Sequence, residues 1–124
     1  MGIAVGPMYV MTVVGRKSGE PRTVPVAVNS ISGERYVIQA YRKADWVANV
    51  RAAGTATLRR GRRSEVVRLV ELPVDDRRSL LREHIANSPA RAGKLLVTTG
   101  LVDDPSPEAV AAAAGRIAVF RIAD

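Results

Sequence analysis

Val14-Gly15-Arg16-Lys17-Ser18-Gly19-Glu20-Pro21-Arg22-Thr23-Val24-Pro25 is a basic, glycine-bracketed turn between two valine-rich runs. Gly15 and Gly19 permit a tight turn whose backbone N–H groups face inward. Ser18 adds a hydroxyl, and Arg16, Lys17 and Arg22 cluster cations around it. Such a loop suits an oxyanion, because the planar fork of arginine matches phosphate and carboxylate. An ordinary basic hairpin has the same composition. Upstream, Met8 to Val14 is almost wholly apolar, the pattern of a strand buried on both faces. Downstream, Thr23 to Asn29 alternates, with Val24, Val26 and Val28 on one face, and Pro25 predicts an edge or a bulge.

Further strands are predicted over Arg35 to Tyr41, Thr55 to Arg60, Ser64 to Leu72 and Arg116 to Ile122. Ser30-Ile31-Ser32-Gly33-Glu34 reads as one hairpin connection and Arg60-Gly61-Arg62-Arg63 as another. Asp45 is expected to cap a helix that runs past Trp46 and Val50 to a stop at Gly54. Asp75, with Asp76 beside it, is expected to cap a second, with Leu81 and Ile85 on its apolar stripe. Ser106-Pro107-Glu108 opens a third, with proline at its first position. The fold class is therefore mainly β with helical inserts (α+β), as a small antiparallel barrel. Residues 1–124 are read as a single domain.

Composition narrows the chemistry. There is no cysteine and one histidine, His84, so disulfides, cysteine nucleophiles and an ordinary zinc site are excluded and no metal is expected. Residues 1–70 hold twelve basic and four acidic side chains, and residues 71–124 hold seven and eight. The net charge of +7 thus belongs to the first part of the chain, which argues for an anionic partner. Part of the arginine excess also follows from a GC-rich coding preference. With a pI near 10.8 and the Arg59-Arg60-Gly61-Arg62-Arg63 run, a nucleic-acid-binding barrel is one alternative. At 4% aromatic residues the chain cannot supply both a core and a base-stacking platform, so no nucleic-acid partner is expected. The first fifteen residues carry no charge and lack a leader's basic start, and no apolar run approaches the roughly 20 residues of a membrane helix. A cytoplasmic protein without a secretory leader or transmembrane segment is expected.

The residues Gly15-Arg16-Lys17-Ser18-Gly19, Pro21-Arg22, Pro25, Tyr36-Val37, Asp45-Trp46-Val47, Asn49 and Arg51-Ala52 together resemble the deazaflavin-dependent nitroreductase family. That family lies within the split β-barrel superfamily of flavin-mononucleotide-binding proteins. The likeness is close over residues 12–72 and weaker near Phe120. It implies an oxidoreductase that moves a hydride between reduced coenzyme F-420 and a small organic acceptor, with flavin mononucleotide as the alternative cofactor. It further implies that Arg16, Lys17, Ser18 and Arg22 meet the phosphate and the polyglutamate tail, with Thr23, Val24 and Pro25 continuing the wall. Ala40, Tyr41 and Arg42 correspond to the segment against the deazaflavin ring, and Trp46 and Asn49, beside Asp45, to the residues that close over it. Tyr41 is the candidate proton donor or ring contact. A lone tryptophan is equally a core anchor, and the chemistry needs no catalytic triad because the hydride belongs to the cofactor.

Residues 85–105 contain no aromatic side chain, whereas nitroimidazole- and quinone-reducing members carry tyrosines in this half. An apolar acceptor pocket is expected between the N-terminal segment and residues 85–103. Many relatives have a helix before the first strand; only eleven residues precede Thr12, which implies an open acceptor face. Leu95-Leu96-Val97 would suit a lipid-like or fatty-acid acceptor and a membrane-peripheral location. A non-catalytic carrier of deazaflavin or lipid would share these features, and a homo-oligomer is compatible with them. His84 shares a face with Leu80 and Leu81 on the second predicted helix and is expected at the boundary between core and surface, outside the chemistry; as a single ligand it gives no support to haem.

Overall fold

A computed structural model describes residues 7–123. Six strands form a closed antiparallel barrel: β1 (Met8–Val14), β2 (Pro21–Ile31), β3 (Glu34–Ile38), β4 (Thr55–Arg60), β5 (Arg63–Glu71) and β6 (Val119–Ala123). Their order around the barrel is β1-β2-β3-β6-β5-β4. Two local devices set the hairpins. Ser32 and Gly33, both at positive φ (52° and 82°), make the two-residue β2–β3 turn, and Gly61 (φ 61°) makes the β4–β5 turn. Closure joins β1 to β4 through Val10–Thr12 against Thr57–Arg59.

The barrel interior is filled by Met11, Val13, Val26, Val28, Val37, Leu58, Val67, Leu69 and Phe120. Helix α1 (Asp45–Ala53) adds Trp46, Val47 and Val50, with the Trp46 ring tilted against Phe120 at 5.7 Å between centroids. A second apolar cluster lies outside the barrel wall, where α2 (Val74–Ala86), α3 (Ala90–Thr98) and α4 (Pro107–Ala112) gather Leu81, Leu96, Leu101, Val110 and Ile117 against Tyr36, Ile38 and Val119. The β3–β6 wall is thus covered on both faces, which is why the successive residues Val119 and Phe120 are both buried, in different clusters. Buried Arg77 pins α2 to the barrel, donating through Nε to the Leu72 carbonyl at 2.7 Å and through Nη1 to that of Ala114 at 3.2 Å.

Several expectations are corrected by this packing. The first strand is fully buried on its inner face alone: Met11 and Val13 point inward, while Tyr9, Val10 and Thr12 are half-buried and Val14 is exposed. The third strand ends at Ile38, three residues early, where the buried Gln39 still donates its N–H to the Ala118 carbonyl but its side-chain Oε1 takes the Ala118 N–H. Asp45 does not cap α1 and Asp75 does not cap α2; the N-cap positions are Ala44 and Pro73, and the aspartates lie in the first turns, where they oppose the helix dipole. Gly54 does stop α1, in the left-handed conformation (φ 77°) with its N–H on the Val50 carbonyl, and Ser106 caps α4 as expected. The last strand begins at Val119, because residues 114–116 form a 3₁₀ turn. α3 was not among the predicted helices, and it carries Gly93 in its interior. A Cβ at Gly93 would lie 2.4 Å from the Pro105 carbonyl oxygen, so this glycine lets helix and loop meet.

The topology leaves one opening. β2 pairs with β1 over Met8–Val14 opposite Pro21–Ala27, but with β3 only from Val28 to Ile31. Its first half therefore has a neighbour on one side, and alternate backbone groups face the gap. Pro25 sits on this edge, where a missing N–H does little harm.

Candidate functional site

The gap beside β2 widens into a cleft of about 840 Å³. At one end lies the loop between β1 and β2. Gly15 is buried, and a Cβ there would stand 3.0 Å from Ser18 Oγ and 3.2 Å from the Glu20 carbonyl oxygen. The loop closes on itself: Gly15 N–H donates to the Glu20 carbonyl at 2.8 Å, and Gly19 N–H, at φ 73°, to the Gly15 carbonyl at 2.9 Å. Ser18 Oγ accepts from Glu20 N–H at 3.1 Å and from the Arg22 guanidinium at 3.4 Å. Among the described residues, no group accepts from the N–H of Lys17 or of Ser18. Two free amides beside Lys17 and Arg22 are what an anion requires of a turn.

Asn49 ties this loop to α1. Its Oδ1 accepts both the Arg16 backbone N–H at 3.0 Å and the Arg16 Nη1 at 2.8 Å, and Nη1 also approaches the Asp45 carbonyl at 3.4 Å. Asn49 is buried, so its amide oxygen is spent on shaping the loop. Arg16 is partly committed to the same tether. The freer cations are Lys17 and Arg22.

The opposite wall is the segment between β3 and α1. Its carbonyls are individually held. Gln39 Nε2 donates to Tyr41 O at 2.8 Å and to Arg42 O at 3.4 Å, while its Oε1 accepts Ala118 N–H at 3.0 Å. Thr99 Oγ1 donates to Ala40 O at 2.7 Å. Tyr41, 51% exposed, stands at the mouth, and its hydroxyl has no partner among the described residues. Trp46 lines the cleft as well as anchoring the core.

All the expected site residues line the cleft except Arg42, namely Arg16, Lys17, Ser18, Arg22, Thr23, Val24, Pro25, Ala40, Tyr41, Asp45, Trp46 and Asn49. The Arg42 side chain runs instead over Gly100, its Cδ 3.6 Å from where a Cβ would stand. Lys43, its neighbour, lines the cleft and was not singled out; strand alternation offers no signal once the chain has left the sheet. The far end is apolar: Leu81 and Ile85 from α2, with Ala92, Leu95 and Leu96 from α3. The 85–103 region therefore contributes as expected, although Val97 is turned to solvent at 37% exposure. Of the N-terminal segment Met8 takes part, and residues 1–6 lie outside the described residues. His84 also lines this end, and burial lowers its pKa, which favours the neutral imidazole. The Arg59–Arg63 run takes no part in the cleft; Arg60 lies over the Tyr9 ring instead, at 5.8 Å. Among the described residues no group of three acidic or histidine side chains is placed to hold a metal.

The profile of the family described as F420H(2)-dependent quinone reductase matches residues 2–100. The chain belongs to this family. It is accordingly an oxidoreductase that depends on coenzyme F-420, and family membership decides for that cofactor over flavin mononucleotide and for an enzyme over a carrier. No curated protein matches significantly. Solved structures share the fold. An F420-H2 dependent reductase, FDR-A, is 22% identical, with 96% of each chain covered and a TM-score of 0.50. A FAD-binding protein from Mesorhizobium loti is 17% identical, with 97% of this chain and 82% of that one covered and a TM-score of 0.54. A protein of unknown function from Agrobacterium tumefaciens is 13% identical at a TM-score of 0.61; this chain, 97% covered, spans 49% of it. At these identities the likeness speaks to the split β-barrel alone. No helix of the described residues is long and apolar enough to cross a membrane.

Proposed function

We infer that the cleft holds coenzyme F-420 along the open edge of β2 and admits a quinone-type acceptor at its apolar end. The observation that carries this reading is the polarity of the cleft, with Lys17, Ser18 and Arg22 at one end and Leu81, Ile85 and Leu96 at the other. The residues fit the coenzyme on two counts: the buried, side-chain-free Gly15 leaves the turn room to close, and the free Lys17 and Ser18 amides suit a phosphodiester. Lys17, Ser18, Arg22 and Lys43 would hold the anionic tail, with Arg16 positioned by Asn49 at its side. Thr23, Val24, Pro25, Ala40 and Tyr41 would wall the ring. When bound, the deazaflavin supplies two-electron hydride chemistry.

The chain's own residues orient and shield. Gln39 and Thr99 hold the Ala40–Arg42 carbonyls so that the wall keeps its shape, and α2 and α3 exclude water from the far end. The Tyr41 hydroxyl, free and at the mouth, is a group that can hold a proton in exchange with solvent. A planar quinone suits an apolar pocket with few polar groups.

Fluorescence titration should show saturable binding of coenzyme F-420 and weaker binding of flavin mononucleotide. Reduced coenzyme mixed with protein and menadione, a soluble naphthoquinone, should recover the absorbance of its oxidised form at a rate proportional to enzyme. Equal affinity for both cofactors, or no acceleration, rejects the assignment.

A further inference from the structure

The far end of the cleft is not wholly apolar. Asn29, on β2, is 7% exposed, and its Oδ1 is buried with no hydrogen-bond partner. Its neighbour Val28 points into the barrel, so Asn29 projects from the outer face, beneath α2. It lines both the main cleft and a smaller cavity of about 260 Å³ behind it. One other side chain lines both, His84 of α2. Among the described residues that β2 beyond Ala27, α2 and α3 contribute to the cleft, these two are the polar ones. No described residue bonds to the His84 ring; Ser88 Oγ takes the His84 backbone carbonyl instead.

A buried amide oxygen without a partner costs stability, and a strand position under a helix would accept leucine in its place. An unspent amide beside an unspent imidazole, at the apolar end of the cleft, is instead an arrangement for a ligand oxygen. We propose that Asn29, with His84 beside it, is the recognition point for the carbonyl oxygen of the acceptor that lies deepest in the cleft. This rests on the quinone reading above. An amide serves both redox forms, because its N–H donates to a quinone carbonyl and its oxygen accepts from the hydroquinone hydroxyl that replaces it. Neutral imidazole has the same dual capacity, and burial keeps His84 neutral. The pair therefore discriminates for acceptors with an oxygen at their inner end and against purely apolar ones such as fatty-acyl chains, which would leave both groups unpaired.

Asn29→Leu tests this in the full-length protein. It keeps the number and branching of the side-chain heavy atoms and removes both hydrogen-bonding capacities. The expected result is a KM for menadione raised tenfold or more, with coenzyme F-420 affinity unchanged within twofold and thermal stability equal or higher. His84→Gln, which keeps a donor and an acceptor, should raise KM less than threefold. An unchanged KM in Asn29→Leu, with coenzyme binding intact, overturns the proposal and leaves the quinone reading standing. If the wild-type protein fails to turn menadione over, the quinone reading fails, and menadione binding followed through Trp46 fluorescence decides the other question. Weaker binding to Asn29→Leu than to wild type then supports the recognition point; equal or absent binding rejects it.

Discussion

Two basic, glycine-containing turns join antiparallel strands in this barrel, and they do different things. The turn between β1 and β2 (residues 15–20) folds around a buried glycine, is tethered to α1 by Asn49 and opens on the cleft. The turn between β4 and β5 is a tight reversal at Gly61 and Arg62, fully exposed, with Arg60 resting on Tyr9. Both carry cations in similar density. The difference is the neighbourhood: the first lies where β2 lacks a partner strand and a helix start is close, while the second lies at the end of a ladder paired from Thr55 to Arg60. Charge makes a candidate binding site only where backbone donors and a sheltered concavity accompany it.

The largest effect should come from the cations themselves. Replacing Lys17 and Arg22 together by alanine is expected to weaken coenzyme F-420 binding about 30- to 100-fold, from roughly 1–1.5 kcal/mol per half-sheltered contact. The same change should flatten its salt dependence. Arg62→Ala with Arg63→Ala should shift the affinity less than twofold. Fluorescence titrations at three salt concentrations read both, and equal losses in the two pairs would erase the distinction between the turns.

Asn49→Ala attacks the tether. It leaves the Arg16 N–H and guanidinium without their shared acceptor, so coenzyme affinity should fall about tenfold and stability by about 1–2 kcal/mol. Asn49→Asp, which keeps the accepting oxygen, should recover most of the loss, and failure to do so would mean that Asn49 acts otherwise than through Arg16.

Glycine substitutions sharpen the contrast within the backbone. Gly15→Ala must displace Ser18 and the Glu20 carbonyl, an overpacking expected to lower stability by about 1–3 kcal/mol and coenzyme affinity with it. Gly61→Asn keeps a residue that tolerates positive φ in open space and should stay within about 0.5 kcal/mol of wild type. Urea unfolding of the two variants checks this.

The smallest effect lies at the opposite end of β5 from its hairpin. Glu71 receives Arg51 at 2.6 Å and Arg77 at 3.3 Å, and the Arg51 guanidinium, chiefly, holds its carboxyl below the usual carboxylate range. Its folded-state pKa lies below the unfolded one, so the contribution is present above about pH 4.5 and is lost as pH falls through the folded value. With Arg51 half exposed it amounts to under about 1 kcal/mol. Glu71→Gln should therefore lower the urea midpoint slightly at pH 7 and make it less sensitive to acid between pH 5 and 3; an unaltered slope would show that the pair contributes nothing.

Strand existence was legible because barrel strands alternate and their turns are local. Val24, Val26 and Val28 announced an inner face, Gly33 and Gly61 announced hairpins, and Gly54 announced a helix end, each through backbone geometry confined to a few residues. Ends were less legible where a distant partner decides them: β3 stops at Ile38 because Gln39 finds Ala118, seventy-nine positions away. α3 was not among the predicted helices, and the close approach of Pro105 that requires Gly93 within it depends on a residue twelve positions away. The basic, turn-forming character of residues 15–22 could be read from composition, whereas the diversion of Arg42 over Gly100 and the entry of Lys43 could not.

By itself, then, the sequence determined the strands, their turns and the basic loop, since these rest on dihedral preferences, alternation and charge within short windows. The tertiary structure alone decided where β2 loses its neighbour, which cations face the gap and that Asn29 is buried beneath α2. An outward strand position is exposed or buried according to what a remote helix covers, and no local pattern carries that information.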